Sequence, residues 1–418
     1  MRDRERPRLL PMAPAPPPAR PGLYDLHPPR LPNDYRPGPG LRDIRLHEVD
    51  LYVTMKCNIR CDFCSVRAGE YGHQDLPLDQ IIRFIDQAVA LGLEELHFLG
   101  GEPTIRDDLE TMVHHASSQG VSTRIITNGM LLTRDRIARL RDLGLGEIMV
   151  SVDGLRDRHT RLRRSGSHGW DKTLRTVEDA IALGLWTRVS ATAYQTNYDD
   201  IVPLLRLVND LGAQCFSVFL GSPLGRGHGM IADVISPYQW RALQEAVRDE
   251  SPTLRPDLQL VMEQGFQWAD GPVVDRGSLK GRGTGCNTLL EDYDYLIVRS
   301  DGHLYQCVFF MTEGQPIGTI VDQPLEATLQ YGLERADYRP FTVANDKCGD
   351  CSHAGPCGTG CRGYAYLYKN DWLKTDPRCS KDEPRAEEAP PYFPLCPILK
   401  HNVRTGAFGG SSEQALRR

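Results

Sequence analysis

Three cysteines stand within the eight residues CNIRCDFC, at 57, 61 and 64, separated by three residues and then by two. The whole chain has only 12 cysteines in 418 residues. An odd number of thiols at such short separations makes a poor disulfide network. Thiolates converging from one loop suit a metal centre, and a four-iron cubane takes four ligands where this loop supplies three. The fourth iron is then open to a small molecule that brings its own amino and carboxylate groups. A zinc ion completed by a distant residue such as His73, or three unrelated thiols, are the alternatives at this point.

A second short motif is GGEP, Gly100 to Pro103. Two glycines permit close approach to a ligand backbone, and a carboxylate can receive an ammonium group. A simple tight turn is the plain alternative. ITNG and SVDG follow in similar positions, and Thr127 and Asn128 serve there either as turn caps or as ligand contacts. Far downstream lie Cys286, Gly302 and Cys307, then CGDCSHAGPCGTGC with Cys348, Cys351, Cys357 and Cys361, then Cys379. The glycines suit tight turns that gather thiolates onto a cluster, although paired cysteines at such spacing also build zinc ribbons.

The elements that must position these residues follow from periodicity. HEVDLYVTM reads as a strand and LDQIIRFIDQAVALG as a helix, and the alternation continues through CFSVFLG. It gives about six strand–helix units between residues 46 and 235, an α/β pattern two units short of a closed eightfold barrel. The expectation is a partial (β/α)6 barrel with an open side. CNIRCDFC follows its first strand and GGEP its second, at the carboxyl ends where such folds place chemistry. Residues 236–280 contain the helix SPYQWRALQEAVRDE and read as a helical linker; 281–400 form a cysteine-rich module of short strands and turns. Residues 1–45 hold 12 of the 30 prolines and read as a disordered leader, and 401–418 as a flexible tail.

Net charge is −6, from 49 basic and 55 acidic side chains, so no nucleic-acid partner is expected. No apolar run approaches the roughly 18 residues of a membrane span. No secretory signal is legible in MRDRERPRLL, and a cytoplasmic protein is expected. In a reducing compartment cysteines serve as ligands or catalysts rather than bridges.

Taken together, the first two motifs resemble those of the radical S-adenosylmethionine (SAM) enzymes, whose signature has this three-then-two spacing and an aromatic residue, here Phe63, before the last cysteine. The resemblance implies that Cys57, Cys61 and Cys64 hold a 4Fe-4S cluster whose open iron chelates the methionine part of SAM. It also implies that Phe63 packs near the adenine and that Gly100, Gly101 and Glu102 meet the SAM amino group. Ser151 matches the ribose-side serine, and Arg163, in RHTRLRRSGSHGWDKTL, matches an arginine for the SAM carboxylate. The seven downstream thiols resemble a SPASM domain over about residues 286–380. That likeness implies two auxiliary 4Fe-4S clusters, one on Cys286, Cys307 and Cys361 and one on Cys348, Cys351, Cys357 and Cys379.

The implied activity is reductive cleavage of SAM to a 5′-deoxyadenosyl radical that takes hydrogen from a substrate carbon. A flavodoxin or ferredoxin is implied as electron donor. Such proteins most often mature ribosomally made peptides by crosslinking, oxidation or epimerisation, and a separate peptide-recognition protein is a possible partner. The alternatives are radical oxidation, epimerisation or decarboxylation of a small molecule such as an aminosugar or tetrapyrrole. An iron–sulfur carrier or zinc-stabilised binding module is the alternative of another class. Sulfatase maturases of this family place an aspartate after the cysteine matching Cys307; Val308 stands here, so formylglycine formation is not expected. Phe309, Phe310 and Cys215 read as core, and Cys396 as a packed thiol, with an eighth ligand as the alternative. No catalytic base is assigned, with Glu291, Asp292 and Asp294 near enough in sequence to be considered.

Overall fold

A computed structural model describes residues 30–32, 34–36, 44–70, 75–263, 295–313, 316–334, 361–369, 374 and 376. The strands are β1 Glu48–Thr54, β2 Glu95–Gly100, β3 Ser122–Thr127, β4 Glu147–Ser151, β5 Trp186–Ala193, β6 Cys215–Leu220, β7 Gln259–Glu263, β8 Tyr295–Val298, β9 His303–Tyr305 and β10 Gly318–Thr319. Helices α1 Leu78–Ala90, α2 Leu109–Ser118, α3 Arg134–Asp142, α4 Arg156–Arg163, α5 Gly169–Ala182 and α6 Ile201–Leu211 alternate with the first six strands. Then come α7 Pro237–Glu250, α8 Val308–Glu313, α9 Leu325–Glu334 and α10 Arg362–Lys369. The sheet runs β10-β9-β8-β1-β2-β3-β4-β5-β6-β7, with every pair from β8 to β7 parallel. This is the mostly parallel α/β sheet of an open barrel.

Two parallel strands lie outside the six expected units. Residues 236–280 contain α7 and then β7, which pairs with β6. β8, from the cysteine-rich part, pairs with β1 at the other side. QLVME is too short and too mixed in polarity to announce a strand by itself; it is one because β6 offers it an open edge. Within the proline-rich leader, Tyr35 meets Tyr331 of α9 edge-on at 5.3 Å and Leu31 N donates to Gln323 Oε1 at 3.0 Å.

Strand alternation divides the side chains between two layers. Val49, Leu51 and Val53 of β1, Leu96 and Phe98 of β2, and Ile148 and Val150 of β4 join the helix-covered core. Helix α1 meets them with Ile81, Phe84, Ile85 and Ala88, one apolar face at helical spacing. Residues between these point into the barrel. At its amino-terminal end they form a polar ladder across seven strands. Tyr295 Oη donates to Asp50 at 2.5 Å, and Asp50 Oδ1 lies 2.8 Å from His97 Nδ1. Arg124 Nη1 lies 2.9 Å from His97 Nε2 and Arg124 Nε 2.8 Å from Glu147. Arg188 then bonds Glu147 at 2.6 Å and Ser217 at 3.0 Å.

Glu48, Asp50 and His97 bring their ligand atoms within 4.8 Å of one another, as a metal site would. However, although burial disfavours charge on His97, its bonds to Asp50 and Glu95 raise its pKa to about 9, so it stands in the row as a cation beside carboxylates. The group is an ion-pair ladder. Replacing Arg124 by leucine takes one of two guanidinium partners from Glu147, which keeps Arg188, and leaves His97 its contact with Asp50; it should lower the unfolding free energy by about 1–3 kcal/mol. Denaturant unfolding of the metal-free protein measures this, and a loss below about 1 kcal/mol would place the ladder among weak surface pairs.

Candidate active site

Because β1 to β6 are parallel, their carboxyl ends meet on one rim. Tyr52, Leu99, Gly100, Thr127, Ser151, Thr192 and Phe219 from these ends line a cavity of about 280 Å³. The same cavity is lined by Cys57, Cys61, Cys64, Phe63, Gly101, Glu102 and Arg163. Every residue expected to hold the first cluster or SAM therefore faces one space.

The cysteine loop leaves β1 and turns back on itself, Gly69 N bonding Met55 O at 2.8 Å. Burial pushes the thiol of Cys57 up to about 11 and that of Cys61 up to about 12. Ala68 N donates to Cys64 Sγ at 3.4 Å. All three cysteines line the one cavity, as ligands of a shared metal cluster would.

Gly100 has φ +150, and a Cβ there would lie 2.1 Å from Thr54 O; at Gly101 it would lie 2.1 Å from Lys56 O. The glycines thus allow the turn to press against the exit of β1, a packing reason that GGEP alone does not reveal. Glu102 is 1% exposed and burial raises its pKa. Its Oε1 accepts from Thr104 N, Thr104 Oγ1 and Thr127 Oγ1 at 3.2, 2.5 and 2.7 Å, and Oε2 from Asn128 N at 2.8 Å. Oε1 is saturated, whereas Oε2 retains a lone pair for an ammonium group. Thr127 and Asn128 hold the carboxylate, and Asn128 Nδ2 also reaches Asn58 of the cysteine loop at 2.8 Å.

Arg163 ends α4, stacks over Phe63 at 5.5 Å and gives its Nε to the fully buried Asp153. Asp153 in turn accepts from Thr192 N at 2.6 Å. Phe63 meets Tyr194 at 5.7 Å, and Tyr194 Oη donates to Ser222 O at 3.0 Å. Ser151 sits at the end of β4, paired with Ser190. Sequence reasoning did not single out Asp153 or Tyr194. The aspartate of SVDG was a legible signal for the first; the second had none.

Residues 51–208 match the radical SAM superfamily. This stretch is a radical SAM domain. The protein is thus a radical SAM enzyme, and the buried carboxylate, the arginine and the three cysteines lining one cavity fit a cluster with bound SAM. It is 27% identical to an AdoMet-dependent heme synthase of Methanosarcina barkeri over 78% of this chain and 94% of that protein. It is 26% identical to a PqqA peptide cyclase of Ruegeria pomeroyi over 79% of this chain and 86% of that protein. Its fold resembles Streptococcus suis SuiB bound to S-adenosylmethionine, with TM-score 0.66 and 21% identity over 80% of this chain and 77% of that chain. SuiB bound to its precursor peptide SuiA gives TM-score 0.63 and 20% identity, over 79% and 75%.

Of the cysteines expected to hold auxiliary clusters, Cys307 and Cys361 stand at the starts of α8 and α10. Phe309 of α8 meets Tyr364 of α10 at 5.2 Å with the rings tilted, and both cysteines pack against that apolar cluster. Cys307, like Cys57 and Cys64, also packs against a second apolar cluster that includes Tyr52, Tyr305 and Phe310. Phe309 and Phe310 are core residues, 5% and 6% exposed. Cys286, Cys348, Cys351, Cys357, Cys379 and Cys396 lie outside the described residues, as do His73, Glu291, Asp292 and Asp294. Cys215 is fully buried at the amino-terminal end of β6, away from the cavity rim. Among the described residues no helix is long and apolar enough to cross a membrane.

Proposed function

We propose that the protein matures a ribosomally made peptide by hydrogen abstraction from one of its carbons. Cys57, Cys61 and Cys64 hold the cluster; Glu102 Oε2 and the Gly100–Gly101 turn receive the SAM amino group, and Arg163, held by Asp153, receives its carboxylate. Phe63 lies against the adenine and Ser151 against the ribose. When bound, the reduced cluster and SAM supply a 5′-deoxyadenosyl radical that abstracts hydrogen. The chain's own part is to orient these groups and exclude water. Cys307 and Cys361, together with Cys286, hold one auxiliary cluster of a SPASM domain, and Cys348, Cys351, Cys357 and Cys379 a second.

The observation that carries this reading is the single cavity onto which the three thiols, the buried carboxylate and the arginine all face. The peptide class is supported by the PqqA peptide cyclase relative and by the fold shared with SuiB, which has been seen with a precursor peptide. The heme synthase relative, matched over 94% of its length, favours a second reading in which a tetrapyrrole is decarboxylated.

Anaerobically reconstituted protein should carry about twelve iron, in three four-iron clusters, and release 5′-deoxyadenosine under reductant. Co-expression with small peptides encoded beside its gene, followed by mass analysis, decides the substrate. Loss of two hydrogens, or deuterium gain in heavy water, supports the peptide; unchanged peptides with carbon dioxide released from an iron porphyrin bearing propionates overturn it.

A further inference from the structure

We infer that Arg226 is a positioning residue that clamps the cysteine loop into its cluster-receiving shape before any metal arrives. The inference rests on the cluster reading above. Arg226 lies in the short helical segment Gly225–Asp233 that follows β6, 165 residues along the chain from Cys61. Its main-chain N donates to Cys64 O at 2.9 Å, and its Nε donates to Cys61 O at 2.7 Å. Nη1 donates to Ala68 O at 3.0 Å and to Glu70 Oε1 at 2.9 Å. One side chain thereby ties the carbonyl of a ligand cysteine to the far end of its loop.

The surroundings reinforce the clamp. Arg226 and Glu70 are only 12% and 14% exposed at the side chain. Glu70 also accepts from Arg60 at 2.9 Å and Arg67 at 2.8 Å, so both arms of the loop close on the carboxylate that Arg226 meets. At Gly225, φ is +56 and a Cβ would lie 2.2 Å from Ser65 O, so the segment seats directly on the loop backbone. A rigid guanidinium donates in several fixed directions at once, which a lysine cannot reproduce. Every bond described is to protein, and none requires the cofactor.

The test compares full-length wild type with Arg226→Met, Arg226→Lys and a control, Arg255→Met. Arg255 ties Asn209 O at 3.1 Å, beside the amino-terminal end of β6. In metal-free protein, alkylation of Cys57, Cys61 and Cys64 should be about tenfold faster in Arg226→Met, as expected for losing charge-assisted bonds. In reconstituted protein, the electron-spin resonance signal that shifts on adding SAM reports a cluster with an open iron. That signal should decay under a chelator about tenfold faster in Arg226→Met, with partial recovery in Arg226→Lys and none of the effect in Arg255→Met. Equal alkylation and decay in Arg226→Met and wild type overturn the clamp. So do changes that merely follow a lowered melting temperature to the same extent in Arg255→Met. A wild type without any SAM-responsive signal refutes the cluster reading instead, and the alkylation rates still decide whether Arg226 shapes the loop.

Discussion

Replacing Cys61 by alanine is expected to abolish reductive cleavage of SAM while leaving the chain folded. Disturbing a partner outside the ligand shell typically costs 10- to 100-fold, so removing a ligand should cost on the order of 10³-fold or more. The fold survives because burial holds Cys57 and Cys61 high, at about 11 and 12, so that without metal both are neutral thiols packed as small apolar groups. Alanine removes one sulfur and little else. Cys57→Ala and Cys64→Ala should behave alike. Cys215→Ala is the contrast: it lies five residues before the rim residue Leu220, roughly 16 Å along a strand, and should leave cleavage intact. Chromatographic assay of 5′-deoxyadenosine, with iron content and far-UV circular dichroism, checks all four. Cleavage by Cys61→Ala within tenfold of wild type would remove that residue from the ligand set.

The second large effect is expected at Gly101. Its N donates to Thr54 O at 2.7 Å and Glu102 N donates to Lys56 O at 2.8 Å, so the turn is laced to the exit of β1. An alanine Cβ would stand 2.1 Å from Lys56 O and 2.6 Å from Lys56 C, backbone atoms that cannot rotate away. The chain must part there. Cys57 is the next residue after Lys56, and Glu102 the next after Gly101, so one methyl group displaces the proposed cluster ligand and the buried carboxylate together. We expect SAM cleavage to fall about 10²-fold, as a displacement near 1 Å produces, and stability to fall by about 2–3 kcal/mol. Gly92→Ala meets no atom within 4 Å but sits at φ +94. It should cost about 1 kcal/mol and leave the chemistry untouched. Equal activity in Gly101→Ala and Gly92→Ala would show that the turn does not position the site.

What the amino-acid sequence determined by itself was local chemistry and period. CNIRCDFC and GGEP carry their ligand types and turn residues within a few positions, and six strand–helix units announce themselves because side chains repeat every two or 3.6 residues. Parallel pairing then forces the ends of those strands to one rim, which is why the cavity could be anticipated from motif order. Tertiary structure alone decided which distant groups meet. The Tyr295–Asp50–His97–Arg124–Glu147–Arg188–Ser217 ladder depends on register between strands, so no window of sequence contains it. Glu102 acquires its donors from Thr127 and Asn128 only when β3 lies beside β2, and Arg226 reaches Cys61 only when the segment after β6 folds back over β1's loop. β7 is a strand because an edge awaited it, not because QLVME demanded one. Periodicity is written along the chain; contact across a sheet is not, because it is set by hydrogen-bond register and by the shapes of neighbours far away in sequence.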